Sequence, residues 1–314
     1  MAVFRRVALL AAALMLLPTA CSSGGSRQSR SAAPPASTSA LHAAPPDTGV
    51  VGAAAPTSSP GPPGVPRFAH IVVVILENHA YSQIVDASDA PFISTLAASG
   101  AVMTQSYAIT HPSQPNYLAL FSGSTQGLTD DSCPHSYTGS NLANALMAAG
   151  RSFVGYSDGL PSVGFTGCSS GPYARKHNPW VDFPALAAAV NQPMTAFPSN
   201  FGELPDVSFV VPNLDHDMHD GSISEGDQWL RTHLGGYAHW AAGHDSLLIV
   251  TADEDDDGHG NRIPTIFAGA HIRPGPSATR TDHYGLLRTL LASFGVSAFG
   301  HAIDARPITG IWSS

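Results

Sequence analysis

The segment His70–Leu76 reads HIVVVIL and is apolar from its second residue onward. A strand with no polar face to offer water predicts a place inside a parallel sheet, covered by helices on both sides. Two further runs make the same demand: VSFVV at Val207–Val211 and SLLIVT at Ser246–Thr251. Shorter strand signals fall at Ala101–Tyr107, Ser152–Tyr156 and Thr265–Ala268. Helical patterns separate them at Pro91–Ser99, Asn116–Phe121, Asn141–Ala149, Gly226–Trp240 and His283–Phe294. Glycines close two of these, Gly100 and Gly150. Such alternation predicts an α/β sandwich with a mostly parallel central sheet flanked by helices.

In sheets of this kind ligands gather at the carboxyl ends of the strands. The residues just beyond each apolar run are therefore the ones placed to meet a ligand. After HIVVVIL come Glu77, Asn78 and His79; after VSFVV come Asp215, His216, Asp217, His219 and Asp220; after SLLIVT come Asp253, Glu254 and three aspartates. One such cluster could be a solvated loop. Three on one rim predict oxygen and imidazole ligands for divalent metal. Asp253, Asp255, Asp257 and Gly258 imitate the start of a calcium-binding hand, but position twelve is Pro264 and a strand precedes the loop, which excludes that motif.

A fourth cluster is Thr110–Tyr117, THPSQPNY. Ser113 precedes a helical pattern, where bound phosphate would be favoured. On position alone a serine there is a helix cap; as a nucleophile it needs a metal or base to activate it.

The chain has 314 residues, a net charge of −9 and only 12% charged residues, which argues against a nucleic-acid partner. At the N-terminus Arg5 and Arg6 precede an apolar run, Val7–Leu17, too short to span a bilayer, and then Leu17-Pro18-Thr19-Ala20-Cys21. This predicts an export signal over residues 1–21, with Cys21 as a lipidation site or the signal cleaved without lipidation. Residues 22–66 are rich in Ser, Ala, Pro and Gly and predict a disordered tether before a domain at 67–314. Cys133 and Cys168 remain as one pair, and in an oxidising compartment they predict a disulfide. In the chain-entropy model a loop of about 35 residues closed this way is stabilised by roughly 3–4 kcal/mol.

Several segments together resemble the bacterial acid phosphatase and phospholipase C family of the alkaline-phosphatase-like superfamily. They are Glu77-Asn78, His111-Pro112-Ser113 with Gln114-Pro115-Asn116-Tyr117, Tyr173–Trp180 (YARKHNPW), Asp217–Ile223 (DMHDGSI), Asp253–Asp256 and Pro307–Trp312 (PITGIW). The resemblance implies a phosphomonoesterase with Ser113 as nucleophile through a phosphoserine intermediate. It places Asn116 and His111 at the phosphate, and makes Arg175, Lys176 and His177 candidate phosphate or headgroup contacts, a solvated turn being the alternative. Glu77, Asn78, Asp253 and Glu254 take the positions of one metal site, where glutamates replace the superfamily's Asp and His. Asp215 with His219, and distant His283, have the spacing of another; Asp217 and Asp220 are alternatives to Asp215, and His219 is an alternative general acid. The implied substrates are phosphomonoesters, phosphoinositides among them, and the implied cofactors are divalent metal ions. Membrane contact would run through a lipid anchor. A phospholipase C-type phosphodiesterase and a non-catalytic phosphate- or metal-binding lipoprotein are the rival readings.

Overall fold

The computed structural model describes residues 64–313. The signal, the lipidation site at Cys21 and the tether up to residue 63 lie outside the described residues. The described residues take in Gly64–Pro66, where Val65 is buried.

The elements that position the site are, in chain order, β1 (His70–Leu76), α1 (Pro91–Ser99), β2 (Ala101–Met103), α2 (Ser113–Ser122), α3 (Leu142–Ala148), β3 (Phe153–Ser157), β4 (Asn191–Pro193), β5 (Val207–Val211), α4 (Ile223–Ala241), β6 (Ser246–Ala252), β7 (Thr265–Gly269), β8 (Gly275–Ser277) and α5 (His283–Ser293). The eight strands form one sheet in the order β8-β2-β7-β6-β1-β5-β3-β4. Only β7 runs against the other seven. The α/β architecture and the mostly parallel sheet expected from the apolar runs are both present.

Alternate residues of β1 serve two cores. Ile71, Val73 and Ile75 pack with Tyr117, Leu118 and Phe121 of α2, Leu142 and Leu146 of α3, and Leu286, Leu287, Leu290 and Leu291 of α5. Val72, Val74 and Leu76 pack on the other face with Ile93 and Leu96 of α1 and Trp229, Leu230 and Leu234 of α4. The period of two in a strand makes this division inevitable once both faces are covered. Gly155 of β3 lets the Trp180 indole lie on the strand: a Cβ there would sit 2.1 Å from the ring.

Local details differ from the sequence expectation: helix α2 begins at Ser113, three residues ahead of the expected Asn116. The strand expected over Ala101–Tyr107 is broken at Thr104–Gln105, because its second half, Ser106–Tyr107, joins a separate three-stranded sheet with Arg262–Ile263 and Thr281–Asp282. Helix α4 starts at Ile223, ahead of Gly226, because Ser222 and Glu225 form a reciprocal capping box. Helix α1 has no side-chain cap of its own. Asp227 of α4 supplies one, accepting from Phe92 N at 3.0 Å and Ile93 N at 2.8 Å, which fastens α1 to α4 on one face of the sheet. Among the described residues no helix is long and apolar enough to cross a membrane.

Candidate active site

Leu76 and Ala252 are register partners at the ends of β1 and β6, so the next residue of each chain segment, Glu77 and Asp253, emerges beside the other. Asp253 N donates to Leu76 O at 3.0 Å. Glu77 N donates to Asp217 O at 2.8 Å, which draws the loop after β5 onto the same rim. Glu77, Asp217, Asp253 and Glu254 are all buried.

Ser113 opens α2 opposite these carboxylates. The cap position belongs to Pro112, so the serine hydroxyl is free of capping duty. Ser113 Oγ lies 3.1 Å from Glu77 Oε2 and 3.0 Å from Glu254 Oε1, its single proton shared between two carboxylates. One helical turn on, the Tyr117 hydroxyl donates to Glu77 Oε1, and its ring stacks on His177 with centroids 5.1 Å apart. His111 approaches from the far side, Nδ1 at 2.7 Å from Glu254 Oε2 and Nε2 at 3.3 Å from Asp255 Oδ1.

Burial dominates the electrostatics. It raises the carboxyls of Glu77 and Asp253 well above their ordinary range, and each is raised further by neighbouring carboxylates, Asp253 and Asp217 acting on Glu77 and Glu254 acting on Asp253. Glu254 is raised for the same first reason, and Asp217 is pushed up to about 7. Burial holds the His177 and His283 imidazoles below their usual value, so both are neutral. Burial alone would lower Lys176, but its hydrogen bond and charge contact with Asp131 outweigh that and hold the ammonium charged.

This arrangement fits a divalent cation. Asp253 Oδ2 is sealed from water and has no hydrogen-bond partner among the described residues, which is unfavourable unless a cation takes it. Turned with its nitrogen inward, the Asn78 carboxamide donates to Glu254 Oε1 at 3.2 Å and to Glu77 Oε2 at 3.3 Å. Turned with its oxygen inward, it would offer a fourth oxygen beside those of Glu77, Asp253 and Glu254 to a bound cation. A set of oxygens alone suits a hard ion.

The structure brings Glu77, Asn78, His111, Ser113, Asp253 and Glu254 together. Lys176 sits beside them, its Nζ at 2.8 Å from Asp131 Oδ2, and His177 faces Glu77 and Asp217 at 3.3 and 3.4 Å. His219 stands at the mouth, its ring 6.1 Å from that of His177 and its Nδ1 at 2.7 Å from Asp220. Other residues singled out in the sequence have different duties here. Arg175 is buried and turned away, paired to Asp182 at 2.8 Å and donating to the carbonyls of Thr166, His135 and Val181. Asn116 braces the loop before Ser113, accepting from Ile109 N and Thr110 N and donating to Thr110 O, with Glu254 Oε2 at 3.4 Å. His283 is buried and bonds the Asp253 carbonyl at 2.6 Å. Asp215 and Asp220 are exposed. Asp255 braces its own loop, accepting from the backbone of Asp257, His259 and Asn261.

Sequence reasoning missed Tyr117 and Asp131. Tyr117 carried a signal, since residues four apart on a helix share a face. Asp131 carried none. It accepts from Gln114 N at 2.9 Å with one oxygen and from Lys176 with the other, tying the start of α2 to the basic segment. The Cys133–Cys168 disulfide, with Cα atoms 5.8 Å apart, ties the segment just after Asp131 to the one that precedes Arg175–His177.

Residues 83–297 match the model of the Phosphoesterase family. The chain is 51% identical over 251 residues to the phosphatidylinositol-3-phosphatase of Mycobacterium tuberculosis, covering 79% of this chain and 84% of that one. It is 29% identical over 254 residues to an acid phosphatase of Aspergillus fumigatus, covering 74% of this chain and 56% of the fungal protein. Its fold is similar to that of a protein in the alkaline phosphatase superfamily from Vibrio parahaemolyticus, with a TM-score of 0.52, 15% identity, and 80% and 73% of the two chains covered.

Proposed function

Because the chain belongs to the phosphoesterase family, we propose that it is an exported acid phosphatase that hydrolyses phosphomonoesters, phosphatidylinositol 3-phosphate among them, through a phosphoserine on Ser113. The single observation that carries this reading is the Ser113 hydroxyl at the start of α2, within 3.1 Å of two buried carboxylates.

The steps are set by the residues around it. Ser113 Oγ attacks phosphorus, and its proton passes to the carboxylate of Glu254 or Glu77. The bond from phosphorus to the leaving oxygen breaks, and His219 at the mouth protonates the departing alkoxide. In the second half His219, now neutral, accepts the proton of an attacking water, the serine–phosphate bond breaks to release orthophosphate, and the proton held on Glu254 or Glu77 returns to Ser113 Oγ. Lys176, held charged by Asp131, offers a positive group to the phosphoryl oxygens. Tyr117 and His111 keep Glu77 and Glu254 in place. A divalent cation on Glu77, Asn78, Asp253 and Glu254 would supply charge neutralisation at the phosphoryl oxygens and a more acidic serine hydroxyl.

The disulfide supports export to an oxidising compartment, as does the signal-like segment at residues 1–21. The test is hydrolysis of an aryl phosphomonoester by wild type and Ser113→Ala, with and without chelator. Ser113→Ala is expected to lose at least about 10³-fold in kcat, and chelator to stop the wild type. Equal turnover by the two proteins overturns the assignment. Vesicles of phosphatidylinositol 3-phosphate and of phosphatidylcholine separate a monoesterase, which releases orthophosphate from the first, from a diesterase acting on the second.

A further inference from the structure

The carboxylates at the strand ends lie between two helices that cover opposite faces of the sheet. Helix α2, which carries Ser113, packs on the face of Ile71, Val73 and Ile75, and α4 packs on the face of Val72, Val74 and Leu76. An in-line displacement at phosphorus sets the leaving oxygen opposite the attacking one. The departing alcohol therefore leaves toward the α4 side. A groove of about 720 Å³ opens on that side. Its walls are His216 from the loop after β5, Gln228, Trp229, Thr232 and His233 from α4, the α4 cap Ser222, and Asp158, the first residue after β3. His219 lies three residues from His216 and three from Ser222, so the groove begins beside the imidazole that protonates the leaving oxygen. An apolar cavity of about 350 Å³ around Trp180, Phe183 and Val190 lies on the Ser113 face instead, behind the nucleophile.

The chemistry of the groove suits hydroxyl groups. Three rings run in a row along it, His216, Trp229 and His233, with centroids 6.0 and 4.4 Å apart and planes inclined by 23° and 25°. Each imidazole commits its Nδ1 to the protein, His216 to Asp158 Oδ2 at 2.7 Å and His233 to the Trp229 carbonyl at 2.9 Å. A carbonyl only accepts, so the proton of neutral His233 sits on Nδ1 and its Nε2 is an acceptor. That nitrogen calls for a donor, which a hydroxyl supplies. Gln228 and Thr232, both exposed, add a carboxamide and a hydroxyl at the rim, 3.3 Å apart. The two carboxylates beside the groove already have partners, Asp158 in His216 and Glu225 in Ser222 N and Oγ.

We propose that this groove is the leaving-group subsite and takes a polyhydroxylated ring, the inositol of a phosphoinositide headgroup, with its hydroxyls on His233 Nε2, Gln228 and Thr232. The inference rests on the phosphatase reading and deepens it. Ser113 and the buried carboxylates act on the phosphoryl group whatever carries it, and the α4 groove sets which alcohol departs. Its contacts are made in the bound substrate and in the transition state alike, so they act on KM more than on kcat.

The experiment compares three soluble substrates on the full chain: glycerophosphoinositol 3-phosphate, which is the deacylated headgroup, glucose 6-phosphate, and an aryl phosphomonoester with no further hydroxyl to offer. His233→Ala and Gln228→Ala are each expected to raise KM for glycerophosphoinositol 3-phosphate about fivefold, with kcat and both aryl-ester constants within about twofold of wild type. His233→Gln, which keeps an acceptor oxygen, should retain part of the wild-type KM. An equal rise with glucose 6-phosphate marks a groove for cyclic polyols at large, and no rise with it marks one for inositol. Headgroup KM unchanged in both alanine variants, or aryl KM raised as much as headgroup KM, overturns the proposal. Wild type that hydrolyses none of the three is the failure of the phosphatase reading, and the groove is then read without turnover. Calorimetric titration with glycerophosphoinositol, the departing alcohol, should show binding that His233→Ala weakens about fivefold; no binding removes the subsite.

Discussion

Two acidic loops leave neighbouring parts of the sheet and meet different fates. The loop after β6 delivers its first two residues, Asp253 and Glu254, straight into the site, and only then do its later aspartates turn to bracing or to solvent. The loop after β5 delivers its acid late. Asn213 first gathers the chain, its Oδ1 accepting from Asp215 N at 3.0 Å and His216 N at 3.1 Å, and Asp215 is left exposed on the outside of that turn. Asp217 then drops inward with 0% exposure, and Asp220 is again exposed. A residue next to a central strand inherits the position of the strand end. A residue a few places further on depends on how its loop is wound.

The contrast can be broken most sharply at Asp253. Asp253→Asn keeps the shape and removes a buried charge from the Ser113 side, and we expect a loss of kcat/KM on the order of 10²–10³-fold. Asp217→Asn acts one layer back, through Glu77, and we expect a loss of about 10–100-fold. Steady-state kinetics on one aryl phosphomonoester ranks them, and the reverse order would mean that the late acid of the β5 loop, not the early acid of the β6 loop, governs the chemistry.

The same contrast separates what is legible in the sequence from what is not. The parallel sheet, Glu77 and the Asp253–Glu254 pair were legible because continuous apolar runs mark both a buried strand and its end, whereas Ser113 reads on position alone as a helix cap and was singled out only by the resemblance. The choice among Asp215, Asp217 and Asp220 was not, because it rests on hydrogen bonds from Asn213 within the loop. Nor were the separate destinations of Arg175, Lys176 and His177. Three consecutive basic residues on a short turn point three ways: into a buried pair with Asp182, onto Asp131, and against Glu77 and Asp217. Their partners lie 7, 45, 100 and 40 residues away in sequence, and no local pattern encodes such pairings.

Metal-free protein sharpens the comparison through pH. Asp217 titrates at about 7 in the folded chain, raised by burial from the ordinary aspartate range. The folded state therefore binds a proton that the unfolded state has already released, and this contribution to stability is complete below about pH 4 and lost as pH rises through about 7. Calorimetry of chelated protein should show Tm falling from about pH 5 to about pH 8, with Mn²⁺ restoring it. Asp217→Asn, which has nothing to titrate there, should flatten the fall. A metal-free Tm that rises over that interval would contradict the burial of Asp217.

Asp131 extends the comparison to a residue outside both loops. With its charge removed in Asp131→Asn, the oxygen that accepts from Gln114 N can remain while the ion pair to Lys176 is weakened. We expect KM for a phosphomonoester to rise several-fold with kcat changed less. Lys176→Arg should retain more of the wild-type KM than Lys176→Met, since the positive charge is kept. A change in kcat alone would reduce Asp131 to a brace for α2.

The smallest effect belongs to Asp215, and it puts the contrast between early and late acids under the most strain. In sequence Asp215 and His219 have the four-residue spacing of a metal pair, yet Asp215 is exposed and its backbone, not its carboxylate, makes the contacts that shape the loop. Its carbonyl lies so close to Gly221 that a Cβ on that glycine would sit 1.8 Å away, so the residue fills a tight turn whatever its side chain does. Asparagine can occupy the same backbone and hydrate the same way. Asp215→Asn is therefore expected to change kcat/KM by less than about twofold and stability by less than about 0.5 kcal/mol. A loss comparable to that of Asp217→Asn would mean that the β5 loop rewinds when metal binds and carries Asp215 inward, and the distinction between early and late acids would then describe only the metal-free enzyme.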